Sequence, residues 1–118
     1  GRFGKVGNAH IRVNSSLNSA ESFQLPTGFQ SEAKPNGGFV AQANQVMSNI
    51  DAICQAAGGS LANVVKFNVS LTDLADFTAL NEIFATRLSA PYPARAAVQV
   101  AALPKGAVVE IEAILVLD

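Results

Sequence analysis

The stretch from Pro93 to Ile114 constrains the fold of this chain more than any other. Two apolar, strand-like runs flank the turn Leu103-Pro104-Lys105-Gly106, and the charges set into those runs are Arg95, Glu110 and Glu112. A cation and two acids among apolar residues each need a partner or a task, because burying an unpaired charge is costly. A hairpin closing symmetrically about residues 101–106 would put Arg95 opposite Glu112 and one diagonal step from Glu110. The three then form either a cross-strand ion pair or part of a site, and periodicity does not choose between them.

The chain has 118 residues, 49% of them hydrophobic and 14% charged, against about 25% charged in an ordinary soluble domain. That length predicts one domain over residues 1–118, with a real core and much remaining surface. So few charges on so small a domain predict that part of the surface is covered by association. The net charge of −1 and the scatter of the Lys and Arg residues leave no electrostatic footprint for nucleic acid or an anionic membrane. A single cysteine, Cys54, excludes an internal disulfide and suits a reducing compartment. It falls on the apolar face of a predicted helix, as a small buried hydrophobe rather than a nucleophile. No apolar run reaches the ~18 residues of a membrane span, and no basic-then-apolar leader opens the sequence. These features predict a soluble, cytoplasmic protein.

Periodicity orders the elements. A short strand is expected around His10–Val13. After Gly37-Gly38, apolar residues from Phe39 to Ala57 recur at three- and four-residue spacing, a helix that Gly58-Gly59 stops. Val65, Phe67, Val69 and Leu71 alternate with Lys66, Asn68 and Ser70 in a strand over Val64–Leu71. Thr72 is expected to cap a second helix, with Asp73 and Asp76 in its first turn. Its inner stripe would be Leu74, Phe77, Leu80, Asn81, Ile83, Phe84 and Leu88, ending at Pro91 and Pro93. The order strand–helix–strand–helix–strand–strand predicts an α+β domain: one mixed sheet with two helices on one face. The other face has nothing in the chain to cover it, and association is the natural remedy.

Several site types are excluded. One histidine, His10, and one cysteine make no metal set, and a Ser-His-Asp arrangement would depend on that same His10. The glycine pairs mark helix boundaries rather than a phosphate cradle. Asn81 is an amide on an apolar stripe, either bonded to backbone or part of a pocket wall.

The text from Gly38 to Val116 resembles the reactive-intermediate deaminase family (RidA, also called YjgF, the perchloric-acid-soluble protein or endoribonuclease L-PSP family). The matching residues are Val40-Ala41-Gln42-Ala43-Asn44-Gln45-Val46, Ala56-Ala57-Gly58-Gly59-Ser60-Leu61 and Asn63-Val64-Val65-Lys66. Leu71-Thr72-Asp73-Leu74-Ala75-Asp76-Phe77, Asn81-Glu82, Pro93-Ala94-Arg95 and Glu110-Ile111-Glu112-Ala113 complete them, so that the likeness covers about two-thirds of the chain. It implies a chorismate-mutase-like fold and a homotrimer whose sheets close a barrel-like core, with a site in each cleft between subunits. It implies hydrolysis of 2-aminoacrylate/2-iminopropanoate-type intermediates to 2-oxo acids and ammonia, with neither metal nor organic cofactor.

Residue by residue, Arg95 matches the arginine that holds the substrate carboxylate, a task suited to a guanidinium fork. Glu110 matches the glutamate that positions the attacking water, and Asn81 an asparagine of the site. Ala97 stands where many members carry cysteine, so no thiol nucleophile is implied. Residues 1–37 depart from the family pattern. Gly1-Arg2-Phe3-Gly4 only faintly matches the family opening, while Asn14-Ser15-Ser16 and Thr27-Gly28-Phe29-Gln30 compete for its next motif. No site residue before Asn81 is carried over. Two other readings stand beside the deaminase: a non-catalytic module binding small carboxylates through Arg95, and a single-strand endoribonuclease or translation inhibitor. One tyrosine, no tryptophan and scattered cations speak against the last.

Overall fold

A computed structural model of the chain describes residues 7–16 and 38–117. Its elements are strand β1 (Gly7–Asn14), helix α1 (Phe39–Ala56), strand β2 (Val64–Leu71), helix α2 (Phe77–Arg87), strand β3 (Ala94–Gln99) and strand β4 (Val109–Leu117). Short 3₁₀ turns at Leu61–Asn63, Leu74–Asp76 and Pro104–Gly106 join them. The segments 1–6 and 17–37, including the Thr27–Gln30 stretch weighed above, lie outside the described residues.

The strands form one mixed sheet in the order β1-β4-β2-β3. β4 runs antiparallel to both β1 and β2, and β3 lies parallel to β2. Parallel neighbours need a crossover connection, and α2 supplies it. The order of elements and the α+β layering follow the sequence reading; the pairing of the last two strands does not. β3 and β4 form no hairpin, because β2 lies between them, so Arg95 is opposite Phe67 and Glu112 is opposite Arg12 and Asn68. Period-two alternation fixes which face a residue occupies, not which strand it sits beside.

One core joins the sheet to both helices. Val46, Met47, Ile50 and Cys54 of α1 and Leu80, Ile83 and Phe84 of α2 pack on Ile11, Val13, Phe67, Val69, Leu71, Ile111, Ala113 and Leu115. Burial of each large side chain stabilises by about 1.5–3 kcal/mol. Phe67 and Phe84 meet in this core, ring centroids 5.1 Å apart. Two expected members are displaced. Val65 is 48% exposed because a register shift between Val64 and Lys66 turns it outward, and Val64 takes the buried position. Leu74 is 46% exposed, since it belongs to the 3₁₀ turn that precedes α2.

That turn also corrects the expected cap. Asp73, not Thr72, caps it, its carboxylate accepting from the Ala75 N–H at 2.9 Å, and α2 proper begins at Phe77. Thr72 donates its backbone N–H to the Val108 carbonyl. α1 stops as expected: Gly58 adopts φ 95°, and the Gly58 and Gly59 N–H groups donate to the Gln55 and Cys54 carbonyls. This Schellman closure needs a left-handed residue, which glycine supplies without a Cβ penalty.

The face of the sheet away from the helices carries His10 and Arg12 from β1, Lys66, Asn68 and Ser70 from β2, and Glu110 and Glu112 from β4. Glu112 is paired there with Arg12 (Nη2 to Oε2, 2.9 Å) and has His10 Nε2 at 3.9 Å.

Candidate active site

Arg95 sits on β3, the edge strand beside β2. Its register with Phe67 aims it to the helix side, where its guanidinium carbon lies 5.3 Å from the Phe77 ring centroid and 5.4 Å from that of Phe84. Cation–π attraction to the two rings holds the guanidinium, and such contacts contribute about 0.5–1 kcal/mol at an exposed site. In front of it opens a cavity of about 540 Å³, walled by Phe67, Phe84, Leu88, Tyr92 and Pro93. Asn81 and Arg95 bring polar groups to its lining.

Asn81 reaches this cavity from α2, one helical turn before Ala85. Its Oδ1 is buried and without a hydrogen-bond partner. A buried acceptor in that condition is costly unless something donates to it. The alternative of an amide bonded to backbone is therefore not realised by this oxygen. Ala97 lies two residues beyond Arg95 on the same side of β3, opposite Val69 and against the core. It adds no reactive group.

Glu110 is elsewhere. It pairs with Asn14 on one side and Ser70 on the other, between the buried neighbours Val109 and Ile111. It therefore points to the face away from the helices, whereas Arg95 and Asn81 point to the helix side. Of the residues expected to act together, Arg95, Asn81 and Ala97 share one side, and Glu110 of the same chain does not join them.

Cys54 is fully buried in α1. Burial, reinforced by the nearby Asp51 carboxylate, pushes its thiol up to about 11. It is a protonated packing residue, as expected, since the nucleophilic form is the thiolate. Among the described residues no group of three or more His, Cys, Asp or Glu is placed to hold a metal, and no helix is long and apolar enough to cross a membrane.

Sequence reasoning missed Tyr92 as a cavity wall. Its flanking prolines, Pro91 and Pro93, read only as the end of α2, yet a rigid Pro-Tyr-Pro segment also fixes an exposed ring beside the edge strand. It missed a second feature at the end of β1. Buried Ser15 donates its hydroxyl to Gln42 Oε1 (2.7 Å) and accepts from the Val108 N–H (3.1 Å). This ties β1 to α1 and to the entrance of β4. The signal was Asn14-Ser15-Ser16 directly after an apolar strand, which turn chemistry can use.

The sequence profile of the Endoribonuclease L-PSP family matches residues 20–117, and the chain belongs to that family. It is 47% identical over 94 residues to a RutC family protein of Sinorhizobium fredii, covering 80% of this chain and 75% of that one. It is 52% identical over 80 residues to the 2-iminobutanoate/2-iminopropanoate deaminase of Capra hircus, covering 68% of this chain and 58% of the deaminase. The chain thus spans somewhat more than half of that deaminase's length. Among solved structures, RidA from the Antarctic bacterium Psychrobacter is 72% identical, with a TM-score of 0.69 over 70% of this chain and 68% of the other. The match supports the mixed four-stranded sheet with two helices.

Proposed function

We propose that the protein hydrolyses 2-imino acids of the 2-iminopropanoate type to 2-oxo acids and ammonia. The observation that carries this is the pairing, in one apolar cavity, of the Arg95 fork with the unsatisfied Oδ1 of Asn81. Arg95 would take the substrate carboxylate in a bidentate grip. Asn81 Oδ1 would accept an N–H of the protonated imine, filling its vacant acceptor. The relatives named as deaminases lend support, and nothing in the proposal needs a metal or organic cofactor.

The chemistry asks for one more group. Water adds to the imine carbon, forming a C–O bond while the C=N electron pair moves to nitrogen. A proton then passes from the new hydroxyl to nitrogen, the C–N bond breaks, and ammonium leaves behind the 2-oxo acid. A carboxylate within hydrogen-bond reach of the water orients it and takes up the proton in transit. Glu110 is our candidate, but in one chain it belongs to the opposite face of the sheet from Arg95. The reading therefore requires Glu110 of a neighbouring copy, and with it a homotrimer whose open sheet faces turn inward and whose clefts each combine two chains. Such packing also covers the helix-free sheet face. The cytoplasm, where a lone buried thiol stays reduced, is the expected compartment.

A single-chain cavity without Glu110 favours one rival: a module that binds small carboxylates through Arg95 and does not turn them over. The two readings separate on ammonia release from 2-aminoacrylate made in place by a serine dehydratase. Faster release with wild type, lost in Arg95→Ala, supports the deaminase. Tight 2-oxo acid binding without acceleration, in a folded oligomer, supports the module.

A further inference from the structure

We propose that Ser15, seated on Gln42, is a positioning residue for Glu110: its buried hydroxyl caps the start of β4 and so fixes the direction in which the Glu110 carboxylate leaves the sheet. This rests on the reading of Glu110 as the group that orients the attacking water, and adds the device that holds it. β4 begins at Val109, so Glu110 is its second residue, at an end where strands fray. The backbone ladder stops there on both sides. The Ser15 N–H donates to the Val109 carbonyl (3.0 Å) and the Thr72 N–H to the Val108 carbonyl (3.2 Å).

Past those two bonds the Ser15 side chain takes over from the backbone. Its Oγ accepts from the Val108 N–H (3.1 Å) and the Val109 N–H (3.4 Å), while its O–H donates to Gln42 Oε1 (2.7 Å). Ser15 and Gln42 are both buried, so these groups need partners within the protein. Asn14 lies directly opposite Glu110 in the β1–β4 register and is itself tied down. Its amide donates to the Pro104 carbonyl (3.3 Å) and accepts from the Ser16 N–H (2.6 Å). The far end of β4 is held instead by an exposed bond, from Asn63 Nδ2 to the Val116 carbonyl. Buried, paired polar groups rigidify what they join, and these join α1, β1 and the two residues before Glu110. A carboxylate that must meet a water in a cleft needs that rigidity, because small misplacements of a catalytic group cost rate.

The test measures two quantities on the full chain: the rate of ammonia release from 2-aminoacrylate, and the affinity for pyruvate, which reads the Arg95 grip alone. Ser15→Ala, at the oligomeric mass of wild type, should lose about tenfold in rate while its pyruvate affinity stays within about twofold. Gln42→Leu leaves the hydroxyl in place but removes its seat. It should show the same split at about threefold in rate, and it serves if Ser15→Ala does not fold. Ile50→Val trims a fully buried residue elsewhere on α1. It should lower stability about as much as losing the buried hydroxyl, and leave the rate unchanged.

A wild-type rate in both Ser15→Ala and Gln42→Leu overturns this proposal. A rate loss that Ile50→Val matches also overturns it, because the cause is then stability. So does a parallel loss of pyruvate affinity, because the whole cleft has then moved and not Glu110. In each of these cases the activity of wild type leaves the deaminase reading standing. Absence of acceleration by wild type overturns both.

Discussion

Arg95 and Phe84 stand 5.4 Å apart, guanidinium carbon to ring centroid, and the same Phe84 ring packs 5.1 Å from Phe67 in the middle of the core. The candidate site is thus built on the hydrophobic core rather than on a surface loop. Phe84 serves stability with one side and positions a cation with the other.

This double duty separates two phenylalanines. Phe77 is half-buried and Phe84 is 5% exposed, yet both hold Arg95. Phe77→Leu and Phe84→Leu should each raise KM about two- to fivefold, the equivalent of one lost cation–π contact of about 0.5–1 kcal/mol. Only Phe84→Leu should also lower the urea-unfolding free energy appreciably, by about 1–1.5 kcal/mol. Equal stability losses in the two variants would contradict this division.

The Arg12–Glu112 pair reports on what covers the open sheet face. In a lone chain its side chains are 61% and 29% exposed. Such a surface pair gives a double-mutant coupling of about 0.2–1 kcal/mol that salt screens away. If neighbouring copies cover the face, as the trimer requires, the coupling should exceed about 1 kcal/mol and persist in about 1 M sodium chloride. A small, salt-sensitive coupling would argue that the face stays wet.

Cys54 predicts a pH limb. Burial holds its thiol at about 11 in the folded chain, against about 8.5 when unfolded. The folded state therefore binds the proton more tightly. The associated stability is fully present below about pH 8.5 and is lost as pH rises toward 11. Urea midpoints of wild type should fall over this window more than those of Cys54→Ala, and a thiol reagent at pH 8 should label the protein only in denaturant. Rapid labelling of the native protein would contradict a buried thiol.

The parts legible in the sequence are those set by local periodicity. The α1 stripe through Val46, Ile50 and Cys54, the alternation of β4 through Val109, Ile111 and Ala113, and the glycine stop at 58–59 all follow from rules that act within a few residues. The neighbours of each strand were not legible. Arg12 and Glu112 are 100 residues apart in sequence, and nothing local marks them as partners. The runs before and after Leu103-Pro104-Lys105-Gly106 suggested a hairpin, but the 3₁₀ turn there, with Lys105 at φ 59°, joins strands that β2 separates. Arg95 and Asn81 stood out as polar groups in apolar runs, their roles came from family resemblance, and the side-chain geometry gathered them at one cavity. The same geometry sent Glu110 to the other face, which the assumed hairpin had concealed.

The central claim is that one catalytic cleft takes Arg95 from one chain and Glu110 from another. The most direct test is to mix Arg95→Ala with Glu110→Gln, unfold and refold them together, and assay 2-aminoacrylate hydrolysis. Each variant alone should be inactive. In randomly mixed trimers about a quarter of the clefts pair an intact Arg95 with an intact Glu110 from the neighbour, so roughly a quarter of wild-type activity should return. If both variants are inactive and the refolded mixture stays inactive as well, the two residues do not meet across a subunit boundary, and the account is contradicted.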